Sequence, residues 1–142
     1  MTRLFVPILV LHVVVAVVGL GSILSVALIA AASRKAGRGS ADVSASLAPL
    51  LRFSAISLGI MLVTGILMDV AAGGAFHDWW WFRGSALLLV LTGVLHARAR
   101  RLVGRGLADT GRDVALRGLE RLAYGVSALI AAITVLMEVK PF

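Results

Sequence analysis

Apolar residues fall in four long runs separated by polar connections: Leu4–Ala32, Leu47–Gly73, Phe82–Val103 and Leu122–Val139. About 20 helical residues, each rising about 1.5 Å, cross a hydrocarbon core of about 30 Å, so each run predicts a transmembrane helix. The first two runs exceed that length and predict helices that tilt or protrude. The last two hold shorter uncharged stretches, Gly84–Ala97 and Leu122–Met137. They cross only if Arg83, Arg98, Arg121 and Glu138 snorkel towards the interfaces. The first run follows Arg3 and reaches Ala30-Ala31-Ala32, a pattern that resembles a signal peptide. A signal h-region is only about 7–15 residues long, about half of this run, which therefore predicts a retained span.

Charge sets the orientation. Arg34, Lys35 and Arg38 lie in the first connection, with Arg52 just inside the second run. The third connection and its edges carry Arg98, Arg100, Arg101, Arg105, Arg112, Arg117 and Arg121. Those eleven, of fourteen Lys and Arg in all, share one side only if all four runs cross; Arg3, Arg83 and Lys140 fall on the other. The positive-inside rule makes the Arg-rich side cytoplasmic. The expected fold is an all-α, integral membrane antiparallel four-helix bundle, one domain over residues 1–142, with N and C termini on the non-cytoplasmic side.

The outer connection reads Gly73-Gly74-Ala75-Phe76-His77-Asp78-Trp79-Trp80-Trp81-Phe82. Trp suits a bilayer interface because its ring is apolar and its N–H seeks water. Phe76, Trp79, Trp80, Trp81 and Phe82 exceed what an anchor needs, so a belt and a contact with a partner protein or pigment-like ligand both stand as readings. On the cytoplasmic side, Thr110 and Asp113 resemble a capping box, and Asp113 with Arg117 forms an i,i+4 pair. The fourth helix is expected to begin there, in the cytoplasm. Gly21 and Ser25 in the first run, and Ala123, Ser127 and Ala131 in the fourth, have the spacing that lets membrane helices approach closely.

Composition agrees with a lipid environment. The chain of 142 residues is 60% hydrophobic, with mean hydropathy +1.00. Soluble domains are about 45–50% apolar, and one this small lacks the interior to hide the excess. The net charge of +7 is gathered between the apolar runs, without the interleaved aromatics that stack bases, so it argues against nucleic acid. The absence of Cys excludes disulfides, thiolate catalysis, iron–sulfur clusters and Cys-ligated zinc. No nucleophile–base–orienter set, phosphate-cradling loop or zinc spacing is visible.

Ionisable residues within a span are expensive and hence candidate functional groups. They are His12, Arg52, Asp69, Arg83, His96 and Glu138, most of them near a span end. His12 lies about 12 Å inside the outer edge. Two readings of it stand: a neutral imidazole hydrogen-bonded to a neighbouring helix, or a ligand to haem or a metal. His96 lies about 22 Å below Trp81, a depth about 10 Å different from that of His12, so the two are not expected to ligate one iron together. Asp69 and Arg83, both near the outer interface, either pair or reach water separately.

The segment Leu11-His12 with Gly19 and Gly21, Arg52 with Leu62-Val63-Thr64-Gly65-Ile66-Leu67, and Trp81 with Arg83 and Leu87 to His96 resembles a group of bacterial four-helix membrane proteins. The group comprises uncharacterised integral membrane proteins, the copper-resistance D proteins and the HemJ-type protoporphyrinogen oxidases, and the resemblance spans roughly residues 11–101. In the HemJ-type enzymes a first-span His and a Lys opening a later helix form the functional pair, and haem b is bound. His12 matches that His, whereas Arg83 stands where the Lys would be and does not readily give up its proton. Two functions follow as expectations. One is a non-enzymatic accessory or structural subunit of a larger respiratory or photosynthetic complex in the bacterial inner membrane, with other integral membrane subunits and the lipid bilayer as partners. The other is a membrane redox protein binding haem b, with His12 or His96 as candidate cofactor ligands.

Overall fold

The structure, a computed structural model, describes residues 3–37, 40–104 and 112–138. It is all-helical over these residues. The four helices are α1 (Phe5–Lys35), α2 (Ser40–Ala71), α3 (Trp80–Gly104) and α4 (Arg112–Glu138). Each coincides with one apolar run. α2 begins seven residues before its run, at Ser40, with Asp42 in the first turn where a carboxylate faces the unpaired N–H groups. α4 begins at Arg112 with Asp113 in its first turn, where the fourth helix is expected to start; Thr110 lies outside the described residues.

Three of the helices, α1, α2 and α4, are long and apolar enough to cross a membrane. In α3 the uncharged stretch stops at Arg83 on one side and Arg98 on the other. That leaves a shorter apolar segment than its 25 residues suggest. Apolar side chains also cover the outside of the molecule. Val6, Val10, Val13, Val14 and Val17 of α1 are each more than half exposed, as are Ile56, Val63 and Ile66 of α2. A helix that is apolar all round suits lipid on one side and packing on the other.

α1 packs most extensively on α2, and then on α4; α3 packs on α4 and, more sparsely, on α2. The start of α1 meets the end of α2, since His12 bonds Thr64. The end of α1 meets the start of α4, since the Arg34 guanidinium reaches Glu120 at 3.3 Å. The core runs through Ile23, Val26, Leu47, Leu116, Leu119 and Ile130, all at most 2% exposed.

The close approach of α1 to α2 lies at Gly19, not at Gly21. A Cβ at Gly19 would stand 3.0 Å from the Ser57 Cβ, whereas Gly21 has open space around it. The two positions are about 200° apart around the helix, so they cannot serve one interface. In α4, Ala123 is fully buried, whereas Ala131 is exposed. The inward face of α4 instead carries Leu116, Leu119, Ala123, Val126, Ile130 and Ile133.

Candidate functional site

His12 sits two turns into α1 and is 8% exposed. Its Nδ1 lies 2.7 Å from Thr64 Oγ1 on α2. The Thr64 hydroxyl has a single proton, and it donates back along its own helix to the Ile60 carbonyl at 2.8 Å, with the Met61 carbonyl at 3.2 Å. The hydroxyl oxygen is therefore the acceptor towards His12, and Nδ1 carries the proton. In the neutral imidazole this leaves the lone pair on Nε2. Gly65 lies beside the ring, where a Cβ would make an ordinary contact with His12 Cε1 at 3.7 Å.

Two adjoining cavities open beside His12, of about 240 Å³ and about 270 Å³. They share His12, Met61, Gly65, Phe82, Ile133 and Met137, so all four helices contribute. Each is smaller than the roughly 300–1,000 Å³ of small-molecule and cofactor sites, but the two adjoin through their shared lining. The walls are mostly apolar. Met68 joins Met61 and Met137 in the larger cavity, so every methionine except Met1 borders this space. Ser85, 3% exposed, lines the smaller one. Its Oγ has no hydrogen-bond partner among the described residues.

The outer connection roofs this end. Phe76 lies between Phe5 and Trp81, with ring centroids 6.2 and 5.6 Å away, and Trp81 meets Phe82 edge-on at 5.9 Å. Phe76, Trp81 and Phe82 thus border the larger cavity. Trp79 and Trp80 point outward, 47% and 60% exposed, against 6% for Trp81. The turn itself depends on Gly73 and Gly74, at φ of 75° and 76°, where a side chain is strained.

Asp69 and Arg83 do not pair with each other; each has a nearer partner within the turn. The Asp69 carboxylate accepts the Phe76 N–H at 2.8 Å and lies 3.5 Å from His77 Nδ1. Arg83 donates to the His77 carbonyl at 2.8 Å and to the Asp78 carboxylate at 3.0 Å. Arg52 is exposed on α2. The side chain of Glu138 lies outside the described residues.

His96 occupies a different level. It is 3% exposed, and its ring lies against the backbone of Leu51 on α2. Leu51 precedes Thr64, the partner of His12, by thirteen residues, about 20 Å along a helix. The two imidazoles do not share a site. Among the described residues, no group of three His, Cys, Asp or Glu is placed to hold a metal ion.

Sequence reasoning singled out His12 but not the groups that orient it. Thr64 and Ser85 carry no signal of their own, because Ser and Thr in membrane helices commonly bond a carbonyl one turn back. Ser22, Ser25, Ser57 and Thr92 do so here. Comparison with protein-family models, curated proteins and solved structures finds no match to this chain.

Proposed function

We propose that this is a four-span protein of the bacterial inner membrane that binds haem b through His12. In this reading both termini lie outside the cytoplasm and the Arg-rich connections inside, which the charge asymmetry supports through the positive-inside rule. The single observation that supports the haem reading most is the His12–Thr64 bond. It supports the tautomer with the proton on Nδ1 and the lone pair on Nε2, in a side chain that lines both apolar cavities. Ligating His residues commonly donate their other N–H to such an outer partner. Met61, Met68 and Met137, which border the same space, would offer a soft thioether donor of the type known at haem iron. When bound, the haem would supply one-electron chemistry. The protein's own residues would orient the His12 ring through Thr64 and line the cavity with Phe82, Ile133 and Met137, with Phe76 and Trp81 at its α2–α3 end. The resemblance to HemJ-type and copper-resistance D proteins supports the same reading. Arg83, held by Asp78, has no proton to give up readily, so the oxidase reaction is not carried over.

Absorption spectroscopy of the protein purified from haem-replete membranes tests this. A Soret band at stoichiometric haem, lost in His12→Ala, is expected. Protein that stays colourless after haem is added in excess refutes it. The outward Trp79 and Trp80 favour a second role, as a docking surface for another integral membrane subunit of a respiratory or photosynthetic assembly. Co-purification under mild detergent, compared with Trp79→Ala and Trp80→Ala, tests that role.

A further inference from the structure

Four of the buried polar groups that do not hold His12, namely Ser54, Ser85, Thr92 and His96, fall into one file along α2 and α3, whereas Ser33 lies on α1 and Ser57 faces Gly19 of α1. Ser85, Thr92 and His96 of α3, spaced i, i+7 and i+11, share a helix face. Each is at most 3% exposed, and Ser54 of α2 is fully buried. The smaller cavity is lined by Met61 and Gly65 of α2 together with Phe82, Ser85 and Ala86 of α3. His96 lies against Leu51. This register brings Ser54 close to the level of Thr92. The cavity reaches Leu89 on α3. Thr92 is about 4.5 Å further along the helix, and His96 about 6 Å beyond Thr92. One more turn leads to Arg100, which is exposed.

Ser85 Oγ, Ser54 Oγ and His96 Nε2 have no hydrogen-bond partner among the described residues. Buried polar atoms are nearly always paired, with protein or with ordered water. α2 and α3 form the sparsest of the four extensive helix contacts, and the smaller cavity opens between them as far as Leu89. Ionisable groups turned into a membrane bundle commonly mark ion pathways.

We propose that water bridges these groups into a proton path from the His12 cavity, past Ser85, Ser54 and Thr92, to His96 and the Arg-rich end, and that the protein conducts protons across the membrane. His96 accepts a proton at Nε2 from the water on its cavity side and passes it to water near Arg100. Only O–H and N–H bonds are exchanged, one proton leaves for each that enters, and nothing is oxidised or reduced. The Thr92 hydroxyl donates to the Leu88 carbonyl at 2.8 Å, so it serves the file as an acceptor that holds a water.

The test uses the full chain in vesicles loaded with a pH-sensitive dye, with a potassium gradient and valinomycin driving proton entry. Flux well above that of protein-free vesicles is expected, at least about tenfold lower in both His96→Phe and Thr92→Val. His77→Gln, in the outer turn and off the path, should conduct as the wild type does. Thr92→Val conserves shape, and it decides alone if His96→Phe does not fold. Flux equal to that of protein-free vesicles, or equal flux in wild type and Thr92→Val, overturns the proposal. The Soret band of the same samples reports on the haem reading separately, so the two succeed or fail independently.

Discussion

Replacing Thr64 by Val tests how His12 is held. Val keeps the branched shape and exchanges the hydroxyl for a methyl, so His12 Nδ1–H loses the acceptor it has at 2.7 Å. An unsatisfied buried donor costs about 1–3 kcal/mol in soluble proteins. Interhelical hydrogen bonds in bilayers average about 0.6 kcal/mol and reach about 1.7. With His12 at 8% exposure, the upper part of the membrane range applies, and about 1–2 kcal/mol of stability should be lost. The effect on ligation is larger. Without an acceptor at Nδ1 the proton can move to Nε2 and remove the lone pair there. Loss of an outer partner of this kind costs about 10–100-fold in metal affinity, and the same drop is expected for haem titrated into the purified protein. Thr64→Ser, which restores the hydroxyl, should recover most of it. Stability is read by denaturation in mixed micelles. Thr64→Val binding haem as tightly as wild type, with unchanged stability, would refute the tautomer argument.

Three further outcomes are expected. A Cys at Ala75 should react with an impermeant thiol reagent from outside the cell and a Cys at Gly104 only after lysis; the reverse pattern refutes the orientation. Trp81→Ala should cost about 3–5 kcal/mol by removing a buried ring, whereas Trp79→Ala and Trp80→Ala should leave folding unchanged. Three equal effects in denaturation would contradict the unequal burial. Gly74→Ala should cost about 1–2 kcal/mol, because φ is +76° and the new Cβ would stand 3.2 Å from His77 Cε1; an unchanged midpoint would show that the turn adopts another conformation.

Helix positions were legible because a bilayer imposes its thickness on apolar runs, whereas the separation of the two histidines was not: counting gave about 10 Å of depth, and their partners on α2 lie about 20 Å apart. What counting cannot supply is rotation about the helix axis. Gly19 and Gly21 are both small and differ in sequence by two, yet only Gly19 approaches α2. The same gap hid Thr64 and Ser85, whose significance comes from the faces they share with α1 and the cavity. Asp69 and Arg83 flank the same turn without pairing with each other. Their partners were set by the tight Gly73–Gly74 turn, which brings His77 and Asp78 closer to them than they are to each other. The buried file of Ser54, Thr92 and His96 was unreadable for a further reason, since it depends on the register of α2 against α3.

The His12 cavity is bordered at one extreme by the first helix and at the other by Ile133 and Met137 of the last. A nascent chain released after α3 already carries His12, Thr64 and Gly65, but the wall facing them has not been made. Any occupant that needs enclosure can therefore be retained only by a chain translated through α4. Occupancy thereby becomes a mark that α4 has been made, and shorter products carry His12 without the wall that faces it.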